Sequence, residues 1–182
     1  MIEEGMRTLI CLTMVAGLAW PVFAQTPAPL DPGIQKVIQV AIVTRDIQAS
    51  AQRWAAVLGM PVPAISTTRP GNEVKELYRG KPSTGQAKLA FFRLGQVTLE
   101  LIEPVGPDTS WREYLDKNGE GVQHLGFQVS DIEKANASAA AMGFPPLHRG
   151  RYDKDNGSYS YVDSQKALGV VIEFLQSDPP KQ

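Results

Sequence analysis

Cysteine is almost absent from this chain: of 182 residues only Cys11 carries a thiol. It lies inside the apolar run "TLICLTMVAGLAWPVFA", which follows Arg7 and ends at Ala24 in a V-x-A boundary. A short positive region, an apolar core and a small boundary residue are the marks of a secretory signal peptide over residues 1–24, with Met6 an alternative start. The run is too short and too interrupted by proline for a comfortable membrane span. If the segment is removed, no cysteine remains, which excludes disulfides, thiolate catalysis and any Cys-ligated metal. An excess of charge of either sign is also lacking. Taking Glu3, Glu4 and Arg7 away from 19 acidic and 18 basic residues leaves 17 of each. Nothing in that balance calls for nucleic acid or an acidic membrane surface as a partner. The expectation is an exported protein, periplasmic or secreted, that is free of the membrane after cleavage and has a small-molecule partner.

The apolar share of 43% and the charged share of 20% are those of an ordinary globular protein. Residues 25–33 read as a Pro-rich linker and the tail "SDPPKQ", residues 177–182, as disordered by composition. The folded unit is expected over residues 34–176.

An internal repeat organises that unit. "QVAIVTRDIQASAQRWAAVLGM" (Gln39–Met60) and "HLGFQVSDIEKANASAAAMGF" (His124–Phe144) both open on a strand-like run. Each reaches Asp-Ile seven residues later, at Asp46 and Asp131. An Asp there suits the N-cap of a following helix, expected over 48–58 and 133–142, with Gly59 and Gly143 as stop signals. Strand patterns follow in both halves: "AKLAFFRL" and "QVTLELIEP" in the first, "SYSYVDS" and "GVVIEFLQ" in the second. Each half is therefore strand, helix and about three strands. Module one covers 34–105, module two covers 120–176, and an amphipathic helix over 108–118 joins them. Gln39 to Glu100 spans 61 residues and His124 to Glu173 spans 49. The excess lies in a loop around "TTRPGNEVKELYRGKPSTG".

Four polar residues fall at matching places of the repeat inside apolar strands: Gln39, Glu100, His124 and Glu173. Burying each without a partner costs a few kcal/mol, and two neighbouring carboxylates repel unless a cation lies between them. One divalent metal would answer both problems. An imidazole, an amide oxygen and two carboxylates suit Zn, Ni, Co, Mn or Fe.

These residues carry a resemblance. The paired βαβββ pattern, with "LGQVTLELIEPVGPDTSWREYLDKNGEGVQHLGFQVSDI" in the middle and "GVVIEFLQ" at the end, resembles the vicinal oxygen chelate superfamily. That superfamily includes glyoxalase I, methylmalonyl-CoA epimerase, extradiol dioxygenases and bleomycin and fosfomycin resistance proteins. The resemblance covers about 34–176 and is nearest in texture to the epimerases. It implies an α+β fold in which two βαβββ modules form a curved mixed sheet around a metal cup, often paired across a homodimer. It implies Gln39, Glu100, His124 and Glu173 as metal ligands. Epimerases usually have His at the first of these positions. Gln39 instead resembles the glyoxalase I set and speaks against a two-His dioxygenase site.

The implied chemistry is proton transfer next to a carbonyl, by an isomerase, epimerase or lyase. Glu173 is the first candidate base and Glu100 the second. An epimerase needs a second acid/base on the other face of the carbon, and Glu73 or Glu76 in the inserted loop could supply it. The plainer expectation there is a solvated charged loop. "HRGRYDKDNGSYSY" offers Arg149, Arg151 and Lys154 to an anionic substrate. Export would remove the protein from cytoplasmic thioesters and glutathione adducts, leaving a small oxygenated carbonyl compound as the expected substrate. The alternatives carried forward are a glyoxalase I-like lactoylglutathione lyase, a metal-free binding or resistance protein, and a ring-cleaving dioxygenase.

Overall fold

The computed structural model describes residues 33–180. The expected signal peptide and all of the expected linker except Gly33 lie outside the described residues. Both helix-start signals act as read. Asp46 accepts from the Ala49 amide at 3.0 Å and caps α1 (Ile47–Leu58). Asp131 accepts from the Glu133 and Lys134 amides at 3.1 Å each and caps α3 (Ile132–Ala141). Gly59 ends α1 in the left-handed conformation that glycine adopts without strain.

Module one consists of β1 (Ile34–Val43), α1, the short β2 (Ser66–Thr67), β5 (Gln86–Leu94) and β6 (Val97–Val105). The helix α2 (Ser110–Asn118) leads into module two. That module has β7 (Gly121–Val129), α3, β8 (Pro146–Arg151), β9 (Gly157–Val162), a single turn α4 (Gln165–Leu168) and β10 (Val171–Ser177). The strands form one curved mixed sheet in the order β2-β5-β6-β1-β7-β10-β9-β8. The two halves meet along the antiparallel pair β1 and β7. This is the α+β, two-module vicinal oxygen chelate fold that the sequence implies.

The inserted loop corrects the picture of a solvated excursion. It contains a 3-10 turn (Gly71–Val74) and two short strands, β3 (Leu77–Tyr78) and β4 (Lys81–Pro82). β3 pairs with β8, Leu77 with Arg149 and Tyr78 with His148, so a segment of module one is added to the outer edge of module two. The tail also differs from expectation. β10 continues through Ser177, and the Asp178 amide donates to the Asn156 carbonyl, so residues 177 and 178 belong to the fold.

Three apolar clusters hold the sheet. α1 packs Ile47, Ala51 and Ala55 on Phe92, Leu99 and Leu101. α3 packs Ile132, Ala135 and Ala139 on Val162 and Phe174. α2 packs Trp111 and Leu115 against Ala41, Tyr161 and Val171.

Strand register then brings the site together. Ala41 lies opposite both Glu100 on β6 and His124 on β7. Gly126 lies opposite both Gln39 on β1 and Glu173 on β10. Small residues at Ala41 and Gly126 leave room for the four longer side chains to converge. A methyl group at Gly126 would meet Gln39 Cβ at 2.8 Å, Leu175 Cδ1 at 2.9 Å and Glu173 Oε2 at 3.1 Å. Gly126→Ala is therefore expected to cost about 1–3 kcal/mol in chemical denaturation, as overpacking does. An unchanged midpoint would show that the strands are not held this closely.

Candidate active site

All four residues singled out in the sequence meet on the concave face. His124 is fully buried, and Glu173 and Glu100 are 2% and 5% exposed. His124 Nε2 lies 3.1 Å from Glu173 Oε2 and 3.5 Å from Glu100 Oε2. Gln39 Nε2 lies 3.4 Å from His124 Nε2 and donates to Glu100 Oε2. The other ring nitrogen, His124 Nδ1, is 2.7 Å from Gln123 Oε1, an acceptor that keeps the proton on Nδ1 and turns Nε2 toward the acids.

Burial alone would lower the His124 pKa. The charge of Glu173, with the hydrogen bond and charge of Glu100, outweighs it and raises the imidazole to about 9. Burial, and then the charge of Glu173, push Glu100 upward against the opposing pull of His124 and Gln39. Two buried acids thus share one imidazolium.

As placed, no group of three or more His, Cys, Asp and Glu side chains among the described residues is arranged to hold a metal ion. The cluster is closed on itself, because the Gln39 amide nitrogen faces inward and bonds Glu100. The donor set nevertheless fits a divalent ion. Donors bound to one ion at about 2.0–2.2 Å stand about 2.8–3.6 Å apart, which is the spacing of His124 from its two acids. Glu173 Oε2 is buried with no aligned hydrogen bond although it sits 3.1 Å from Nε2. Turning the Gln39 amide over would replace its nitrogen with an acceptor oxygen.

Gln39, Glu100 and Glu173 line a cavity of about 510 Å³, with His124 behind them. Trp111, Tyr159 and Tyr161 form aromatic walls, and the Trp111 indole N–H is buried there without a partner. Burial, aided by nearby carboxylates, raises the Tyr159 and Tyr161 phenols and keeps them protonated.

Glu76 also lines this cavity and is 4% exposed. The fold of the insertion places it there: the Glu76 amide donates to Gly71 O, and Glu76 O accepts from the Ser83 amide. Its Oε2 accepts from Tyr159 OH at 2.8 Å and lies 3.2 Å from Nε2 of the fully buried His148. Burial would raise the Glu76 pKa. The His148 imidazole 3.2 Å away, with the bond from Tyr159, prevails and holds it below the usual carboxylate range. Glu73, by contrast, is an exposed partner of Arg69 at 3.2 Å.

The three cations offered for substrate fare differently. Arg149 does not line the cavity and pairs with Glu133 at 3.3 Å. Arg151 lines it, but its guanidinium is engaged by Asp155 at 2.9 Å and by Asp178. Lys154 lines the cavity, as does Arg93, which the sequence reading passed over. Glu76 was offered beside Glu73 as a second acid/base, but its grouping with His148, Trp111 and the two tyrosines was not foreseen. The two-residue strand β3, which pairs with β8 across the modules, leaves no local pattern that would show it.

A curved sheet of two βαβββ modules enclosing an imidazole, two acids and an amide defines a protein of the vicinal oxygen chelate class. The chain belongs to the Glyoxalase/Bleomycin resistance protein/Dioxygenase superfamily, whose model matches residues 38–162. It is similar to the uncharacterized protein YqjC of Bacillus subtilis (strain 168), at 26% identity over 92 residues. That match spans 50% of this chain and 66% of the relative. Among solved structures, methylmalonyl-CoA epimerase from Mycobacterium tuberculosis is 18% identical with a TM-score of 0.58, over 81% of this chain and 91% of that one. A Streptomyces coelicolor methylmalonyl-CoA epimerase variant in complex with 2-nitronate-propionyl-CoA is 20% identical with a TM-score of 0.58, over 80% and 99%. A mutant of 4-hydroxymandelate synthase from the same organism is 20% identical with a TM-score of 0.54, over 82% of this chain and 50% of that one. At such identities the likeness is one of fold.

The His124 shift fixes a pH dependence. A folded pKa of about 9 against an ordinary 6.5 means that the stabilisation is fully present below 6.5 and is lost as pH rises through about 9. Thermal unfolding of chelator-treated protein should therefore show a Tm that falls over that window, and His124→Gln should flatten it. A flat Tm in the unsubstituted protein would contradict the shared-proton arrangement.

Proposed function

We propose that this chain is an exported, divalent-metal-dependent enzyme that moves a proton on the carbon next to a carbonyl of a small oxygenated substrate. An epimerase or isomerase is the preferred type. One observation carries the reading: buried carboxylates from both modules' strands and from the inserted loop face a single aromatic-walled cavity. Export is supported by the apolar run that ends at Ala24.

Gln39, Glu100, His124 and Glu173 would hold the ion. When bound, it would act as a Lewis acid toward the substrate's oxygens and make the neighbouring C–H more acidic. Glu173 takes the proton on one face of the carbon and Glu76 serves the other. Tyr159 holds Glu76 in place, and Trp111 gives the cavity an aromatic wall. The four aromatic and aliphatic walls formed by Trp111, Tyr161, Phe91 and Leu89 keep water from the reacting carbon.

A second reading, a metal-free binding protein, is favoured by the closure of the cluster through the Gln39–Glu100 hydrogen bond. Elemental analysis of purified protein separates the two. The enzyme reading expects about one divalent ion per chain, with affinity falling at least about 100-fold in His124→Ala. No metal in the protein, together with unchanged stability of His124→Ala, would sink it. Once a substrate is in hand, Glu76→Gln should lower kcat by about 10²–10⁴ while metal content stays the same. Full activity in Glu76→Gln would remove Glu76 from the chemistry.

A further inference from the structure

Both histidines of the chain stand in the wall between the cavity and a second, separate cleft. Each presents Nε2 to carboxylates on the cavity side: His124 to Glu173 and Glu100, and His148 to Glu76. Each presents Nδ1 to a residue that lines the second cleft. For His124 that residue is Gln123, at 2.7 Å, and for His148 it is Ser110, at 3.0 Å. The cleft, of about 270 Å³, is otherwise lined by polar groups that include Glu113, Lys117, Asp163 and Lys166, and it shares no lining residue with the cavity.

The two crossings differ in what they can pass. An amide oxygen accepts the His124 Nδ1–H and holds it, because the Gln123 side chain has no proton to hand on from that atom. A hydroxyl accepts one proton while releasing another. We propose that His148 and Ser110 form a proton relay that connects Glu76 to the second cleft, so that Glu76 exchanges its proton with solvent while substrate fills the cavity. The proposal rests on the reading of Glu76 as the second acid/base. A two-base enzyme leaves one carboxyl protonated and the other bare after each turnover, and a route through the wall restores them without emptying the site.

The steps balance. Protonated Glu76 gives its proton to His148 Nε2, leaving a carboxylate beside an imidazolium. The Nδ1 proton passes to Ser110 Oγ as the hydroxyl proton leaves to water in the cleft. The ring ends as the Nε2–H tautomer, and proton uptake runs the same steps backwards to restore the Nδ1–H form. Nε2 and Oε2 stand 3.2 Å apart without the alignment of a hydrogen bond. A turn of the Glu76 carboxyl about its last torsion, which is soft, brings them into line. Trp111, Tyr159 and Tyr161 pack around the His148 ring, at centroid distances of 4.6, 5.7 and 5.4 Å.

Because the chain contains two histidines, protein labelled with 15N-histidine gives a spectrum in which each ring is followed separately. The measurement is proton exchange of each imidazole N–H with water, by magnetisation transfer, without substrate. Although both rings are fully buried, His148 should exchange faster than His124. Ser110→Ala should slow His148 by about tenfold and leave His124 as it was, as expected for the loss of one hydrogen-bonded partner. Ser110→Thr, which keeps the hydroxyl, should restore the rate. The relay is overturned if His148 exchanges no faster than His124, or if Ser110→Ala folds and leaves the His148 rate unchanged. Should Ser110→Ala not fold, the comparison of the two rings in the unsubstituted protein decides. The Ser110 variants read the His148 ring, which is not among the four proposed ligands, and no substrate is present, so their failure removes the relay alone and leaves the proposed reaction to the metal analysis.

Discussion

Two buried carboxylates facing one imidazole set the terms for the rest of this molecule. Glu100 and Glu173 come from the last strands of the two modules, and taking either out of water unpaired would cost several kcal/mol. His124, raised to about 9 by these acids, neutralises one charge. The other is met in part by the Gln39 amide, while burial and the charge of Glu173 push the Glu100 pKa upward. That frustration is local and sits where the β1–β7 seam joins the modules. A divalent cation would relieve it more fully than a proton does, and this is the physical reason for reading the cluster as a metal centre.

The inserted loop gives the site its second side. Without it β8, which carries His148, would be an unpaired edge of the sheet. β3 instead adds to that edge and carries Glu76 inward. Glu76 is then held by groups of module two, Tyr159 and His148, although it belongs to module one. The two halves are tied at the seam and again at this crossing, so a change in either should be felt at the cavity.

Much of this was legible beforehand. The Asp46 and Asp131 caps, the strand–helix–strands repeat and the four convergent polar residues could all be read, because they depend on periodicity and on the recurrence of a unit. The tail was misjudged at Ser177 and Asp178, where composition spoke for disorder, but Ser177 pairs with Gly157 of β9 and the Asp178 amide bonds the Asn156 carbonyl. Glu76 was named with Glu73 as a second acid/base but expected in a solvated loop, for a related reason. Its burial depends on the two-residue strand β3 adding to β8 of the other module, and β3 is too short to show an alternating pattern. Arg149 looked like a substrate anchor in a basic stretch, but its strand turns it toward Glu133.

The account stands on the claim that these four side chains surround one metal ion. Anomalous diffraction from crystals of the protein grown with Mn²⁺ or Ni²⁺, recorded at the metal edge, addresses it most directly. The account predicts a single strong peak bounded by Gln39, Glu100, His124 and Glu173, with the Gln39 amide turned so that its oxygen faces the ion. Absence of a peak there, with Gln39 still donating to Glu100, would contradict it.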